Sequence, residues 1–206
     1  MKLVVVSAGL SVPSSTRLLG DRLAAAVVAQ DASVEVQVVE LRDLAVEIAH
    51  NFTNGFPGRR LAAASDAVAG ADGLVVVTPV FSASYSGLFK SFFDVLDRDA
   101  LAGKPVLIAA TGGSARHSLV LEHAMRPLFA YLRAVVVPTG VYAASEDWGA
   151  EGLAGRIERA ASELAGLMAG LSRRVAPPFE SAPESGTETE GFVVVPFEEQ
   201  LAALRG

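Results

Sequence analysis

Five short runs of apolar, largely β-branched residues recur along the chain, and no other feature restricts its fold as strongly. They are Leu3–Ser7, Val34–Val39, Leu74–Thr78, Val106–Ala110 and Val135–Val137. Nearly all their residues are apolar, as expected for parallel strands buried on both faces. Between them lie Ala/Leu-rich helical patterns at about residues 15–30, 58–70, 87–97 and 118–132, with a last one near 150–172. Alternation of this kind predicts βαβ units with right-handed crossovers, and so an α/β sheet with helices on both faces.

Five strands suit the flavodoxin-like doubly wound parallel sheet, order 2-1-3-4-5, better than the six-stranded dinucleotide fold. Punctuation supports the boundaries. Pro79 is expected to end the third strand, and Gly103-Lys104-Pro105 to precede the fourth. In the first helix Leu18, Leu19, Leu23, Ala26 and Val27 form the apolar face, opposite Asp21 and Arg22.

A chain of 206 residues is long enough for one domain with its own core. It contains no cysteine, which excludes disulfides, thiolate metal sites and cysteine nucleophiles together. Three histidines (His50, His117, His123) argue against a multi-histidine metal centre. Net charge is −6, but residues 177–206 hold six acids and one base, leaving residues 1–176 at −1. Such a body has no basic excess for nucleic acid. The apolar stretch Leu3–Val6 is too short for a secretory signal, and no run reaches the ~20 apolar residues of a membrane span. A soluble, cytoplasmic protein is expected. Composition divides the chain into a body, 1–175, and a tail, 176–206. In the tail an acidic Pro/Glu/Ser/Thr/Gly linker (Pro177–Gly191) leads to the apolar segment Phe192–Phe197. That segment is expected to dock on its own body or a second subunit, with a different partner as the alternative.

Ligands in open α/β sheets bind beyond the carboxyl ends of the strands. Three strand-exit loops there have distinctive content. The first, Ser7–Arg17, carries Ser11, Ser14, Ser15 and Thr16 at a helix start, where unpaired N–H groups and the helix dipole suit a phosphate. Capping the helix is the simpler role for Ser14 or Ser15. Neither a Walker A pattern nor Gly-x-Gly-x-x-Gly is present. The second loop, Thr78–Lys90, offers Pro79, Val80, Phe81, Ser82 and Tyr85. These supply apolar faces and polar groups for a planar heterocycle, unless Phe81 and Tyr85 pack inward. In the third, Thr111-Gly112-Gly113 permits close backbone approach to a ligand, and Arg116 and His117 follow. An ordinary turn, with His117 playing no role, is the alternative.

Taken in order on their strands, the three loops resemble those of the NAD(P)H-dependent FMN reductases of the flavodoxin-like superfamily. The likeness is to the actinobacterial branch whose members partner luciferase-like flavin monooxygenases, and it runs from Met1 to about Leu171. In that family the first loop reads Gly-Ser-x-Arg-x-x-Ser-x-Asn and grips the FMN phosphate. Here Ser11 stands where arginine is frequent and Thr16 where asparagine is frequent, with Arg17 next door as a substitute charge. The family's Pro-x-Tyr…Lys loop matches Pro79, Phe81 and Lys90, and Thr111-Gly112-Gly113 matches its third flavin loop.

The resemblance implies FMN and NADPH, with NADH as the alternative, and hydride transfer that needs no protein acid or base. It implies FMN contacts from Ser11, Ser14, Ser15, Thr16, Pro79, Val80, Phe81, Ser82, Tyr85, Thr111, Gly112 and Gly113. Arg116 and His117, or else Arg59-Arg60, become candidates for the nucleotide's 2′-phosphate. A homodimer or dimer of dimers is implied, as is a flavin-dependent monooxygenase that takes the reduced FMN. A quinone, azo or chromate reductase that retains its FMN is the alternative. A flavodoxin-type electron carrier is disfavoured by the near-neutral body and the missing Thr-x-Thr-Gly-Asn-Thr loop.

Overall fold

A computed structural model describes residues 1–172. The acidic linker and Phe192–Phe197 lie outside the described residues. The elements are β1 (Lys2–Ser7), α1 (Ser15–Gln30), β2 (Glu35–Glu40), α2 (Ala45–Asn54), α3 (Arg59–Ala69), β3 (Gly73–Phe81) and β4 (Ser84–Tyr85). Then follow α4 (Gly87–Asp94), β5 (Pro105–Gly112), α5 (Arg126–Tyr131), β6 (Val135–Val136), β7 (Val141–Ala144) and α6 (Glu151–Ser172). The parallel sheet runs β2-β1-β3-β5-β6, with β7 also on β5 and β4 on β3. This is the expected 2-1-3-4-5 order, with the fifth position filled by two pieces.

Those pieces share one neighbour. β6 pairs with Pro105 and Val106 at the start of β5, and β7 with Ala109–Gly112 at its end. The register offset grows from 30 residues to 32 between them, so the intervening bulge adds two residues. An even insertion keeps side chains on their original faces. Val137, Val141 and Ala143 accordingly pack on one side of the sheet, Tyr142 and Ala144 on the other. Glu163 of α6 fastens the bulge, accepting from both the N–H and the hydroxyl of Thr139 at 2.7 Å.

Alternate strand residues feed two separate cores. Leu3, Val5, Val75, Val77, Leu107 and Ala109 pack against α1 and α6. Val4, Val6, Leu74, Val76, Val106 and Ile108 pack against α2 to α5. The second core contains an aromatic cluster, with Phe93 at 4.8 Å from Phe89 and 5.0 Å from Phe129 between ring centroids. At the base of the sheet Lys104 Nζ donates to the carbonyls of Ala69, which ends α3, and Ala71. Burial lowers this ammonium's pKa, and the nearby Asp72 charge partly opposes that.

The structure corrects four sequence expectations. β3 continues through Pro79 to Phe81. β1 has already ended opposite Val77, so the proline's missing N–H faces no neighbouring ladder on that side. α2 was not expected; it follows a 3₁₀ turn, Leu41–Leu44, and its N-cap is Leu44, with no capping side chain to announce it. The segment 118–132 becomes a π turn, Leu121–Met125, followed by the six residues of α5. α4 stops at Asp94, short of residue 97. No helix among the described residues is long and apolar enough to cross a membrane.

Phe89 is fully buried among Tyr85, Phe93 and Phe129. Phe89→Ala should lower the unfolding free energy by about 3–5 kcal/mol in a denaturant titration. A loss below about 1 kcal/mol would mean that the cluster collapses around the gap.

Candidate functional site

The carboxyl edge of the sheet is stepped, and four loops rise from it. After β1 the chain turns back sharply: a Cβ on Gly9 would lie 2.0 Å from Ser14 Oγ, so a larger residue there would have to displace that hydroxyl. Ser14 caps α1, its hydroxyl accepting from the Arg17 N–H at 3.2 Å. The Leu18 N–H bonds to the Ser14 carbonyl at 3.0 Å, so the N–H groups of Ser15 and Thr16 precede the first intrahelical bond. No acid occupies that first turn. Thr16 is buried, and its hydroxyl meets that of Thr111 at 2.8 Å, joining the first loop to the third.

The second loop is a hairpin. Ser82 and Ala83 both adopt left-handed backbone (φ 48° and 65°), which makes a two-residue turn of the I′ kind. Val80 pairs with Tyr85 and Phe81 with Ser84. Thr78 Oγ1 anchors the base, accepting from the Ser86 N–H at 3.0 Å. Ser86 then caps α4 through the Phe89 N–H. The hairpin sends its two aromatics to different places: Phe81 is 48 % exposed, whereas the Tyr85 ring lies 5.8 Å from Phe89 in the aromatic cluster.

The third and fourth loops brace each other. A Cβ on Gly112 would lie 2.1 Å from Tyr142 Oη, while Gly113 faces open space. Tyr142 Oη donates to the Ser114 carbonyl at 2.9 Å. Burial, and then the charges of Glu146 and Asp147, raise the phenol's pKa, so it stays a donor. Beyond β7 the segment Ser145–Gly149 is held by Asp147, which accepts from the Ala144 N–H at 2.8 Å and pairs with Arg156 at 3.3 Å. Glu146 accepts from the Ala115 N–H at 3.3 Å. The Arg22 guanidinium sits 5.2 Å from the Trp148 ring centroid.

These loops enclose a cleft of about 640 Å³. Of the residues singled out in the sequence, Ser11, Ser14, Ser15, Thr16, Pro79, Val80, Phe81, Thr111, Gly112 and Gly113 line it. Ser82, Tyr85, Arg116 and His117 do not. Ser82 is at the hairpin tip, Tyr85 turns into the core, and Arg116 and His117 form a 3₁₀ turn, Ala115–His117, outside the lining. Arg59 and Arg60 open α3, and Arg60 borders a different depression beside β2. Arg17 is no substitute charge in the cleft, because it is paired with Asp21 and Glu40. Sequence reading missed Leu10 of the first loop, and Ala143, Ser145 and Trp148, which are reached through β7. The lone tryptophan after a Val-Tyr-Ala-Ala run was the one available signal.

Among the described residues, the lining contains no charged side chain. Hydroxyls and free amides gather at the α1 end, while Phe81 and Trp148 stand on either side of the glycine floor. This donor set suits a phosphate monoester joined to a planar ring, and so fits FMN.

Comparison with known proteins agrees. The family model for NADPH-dependent FMN reductase matches residues 1–149. An FMN reductase (NADPH) of Pseudomonas aeruginosa is 40% identical over 176 residues, covering 83% of this chain and 94% of that protein. An NADH-dependent FMN reductase of Pseudomonas fluorescens is also 40% identical, covering 81% and 91%. Among solved structures, an oxidoreductase from Corynebacterium diphtheriae superposes with TM-score 0.79 at 52% identity, covering 82% of this chain and 97% of that one. An NADH:FMN oxidoreductase gives TM-score 0.70 at 31% identity, covering 80% and 88%. The chain belongs to the NADPH-dependent FMN reductase family.

Gly112→Ala should raise the Kd for FMN at least about tenfold, because its Cβ and the Tyr142 hydroxyl cannot share one place. Tyr142→Phe in the same chain should recover part of that loss in an equilibrium titration. No recovery would mean that the glycine is needed for another reason.

Proposed function

We propose that this member of the NADPH-dependent FMN reductase family binds FMN in the charge-free cleft, reduces it with NADPH or NADH, and releases it to a flavin-dependent monooxygenase. The observation that carries the reading is the polarity gradient along the cleft. Hydroxyls of Ser11, Ser14, Ser15 and Thr16, with the first amides of α1, meet the phosphate. There the helix dipole favours an anion by roughly 0.3–1 kcal/mol, up to about 2 when partly buried. Phe81 covers a face of the ring, and the open space beside Gly113 lets the backbone approach its polar edge. Ser82 and Tyr85 then act on FMN only through the hairpin that positions Phe81. Bound FMN supplies the hydride-accepting chemistry itself, so the chain's residues bind, orient and exclude water.

Arg116 is exposed and outside the ion pairs that occupy Arg17 and Arg42. It is the candidate for the 2′-phosphate of NADPH, with His117 beside it. Exposed Val46, Phe52, Phe56 and Tyr131, each more than half exposed, support assembly as a homodimer or dimer of dimers. The tail, 176–206, is proposed as a docking segment for that assembly, and consumption of NAD(P)H is consistent with a cytoplasmic site of action.

Under anaerobic conditions, excess FMN and NADPH with catalytic protein should lose the flavin visible band within minutes. The same assay with NADH reads the nucleotide preference. FMN that binds but is not bleached by either nucleotide would instead indicate an electron carrier. Arg116→Ala should raise the KM for NADPH about tenfold and leave that for NADH within twofold. Equal changes for both would remove Arg116 from the nucleotide site.

A further inference from the structure

The loop that is offered to the phosphate has a back as well as a front. Behind Ser11–Ser14 lies a second depression of about 250 Å³, walled in part by Arg17, Asp21, Glu40 and Arg42. Glu40 closes β2 in register opposite Ser7, the last residue of β1. Its carboxylate joins both arginines, Arg17 at Nη1 and Arg42 at Nη2, the latter at 2.9 Å. Arg17 is also tied to Asp21 at 2.7 Å. Arg42 Nε also lies 3.7 Å from Asp43 Oδ1, and its Nη1 donates to the backbone carbonyl of Ser11 at 2.9 Å.

That contact has two effects on the front of the loop. Ser11, Val12 and Pro13 are exposed, Val12 at 81 %, so apolar burial does little to hold them. A guanidinium already fixed by Glu40 gives this segment a rigid anchor. The Ser11 carbonyl is also directed toward Arg42, which keeps an acceptor dipole from facing an anion in the cleft.

We propose that Arg42 is a positioning residue for the flavin phosphate. It fixes the Ser11–Ser14 wall from behind, so that the loop hydroxyls and the first amides of α1 converge on the phosphate without any arginine touching it. The inference rests on the reading that the phosphate occupies the α1 end of the cleft. It assigns to the 3₁₀ turn after β2 a task that a loop arginine would perform by direct contact.

The test compares FMN with riboflavin, which lacks the phosphate. The full chain and its Arg42→Ala and Arg42→Lys variants are titrated with each flavin, following flavin fluorescence at equilibrium, with a circular-dichroism melt of each. Arg42→Ala is expected to raise the Kd for FMN roughly tenfold and leave that for riboflavin within twofold, with Arg42→Lys between. An FMN Kd within twofold of the parent overturns the proposal. Parallel weakening of both flavins also overturns it, because it would report general loosening. If Arg42→Ala does not fold, Arg42→Lys decides by the same comparison of flavins. A parent chain that binds FMN no more tightly than riboflavin would overturn the phosphate placement itself, and the role of Arg42 with it.

Discussion

Parallel pairing with unequal strand ends is the constraint on which the rest of the structure depends. β1 pairs with β3 only as far as Ser7 opposite Val77, β3 with β5 as far as Pro79 opposite Thr111, and β5 with β7 as far as Gly112 opposite Ala144. The strands end at different heights, and the cleft is the step that remains. A one-residue slip anywhere would turn each side chain of that strand into the opposite core, where its shape does not match its neighbours, so packing on both faces holds the register. The cores therefore fix the cleft, although almost none of their residues enter it.

Electrostatically, the cleft works by subtraction. Three arginines around it are engaged elsewhere: Arg17 with Asp21 and Glu40, Arg42 with Glu40, Arg22 over Trp148. The remaining polarity comes from hydroxyls, amides and a helix end, which are dipoles rather than charges. Such groups are already oriented before a ligand arrives, so little reorganisation opposes binding. They can grip a phosphate without the desolvation cost of burying a facing guanidinium.

Much of this was readable from the sequence, and the failures have local causes. The buried strands were legible because β-branched blocks such as Leu74–Thr78 fit little except a two-sided parallel sheet. Serines and glycines marked the first and third loops, because few other residues supply N-terminal caps and close approaches. The hairpin was not legible, since Ser82-Ala83 carries none of the Asn-Gly signal that such a turn normally requires. Without the hairpin, nothing separated Phe81, which lines the cleft, from Tyr85, which turns into the core. β7 was missed because four residues following Pro138-Thr139-Gly140 look like loop, and Trp148 was lost with it.

The broken fifth strand has a consequence for how such a cleft can diverge among descendants. β6 is bound to the base of β5 and β7 to its top, with a short bulge between them. Lengthening or shortening that bulge by two residues would shift the upper segment along β5 and keep every side chain on its own face. The wall bearing Ser145 and Trp148 would move while both cores stayed packed. Selection could thus widen or narrow the pocket in steps of about 7 Å along the strand direction. The fold hangs one wall of its cleft from a segment that is joined to the rest of its strand only through a short bulge.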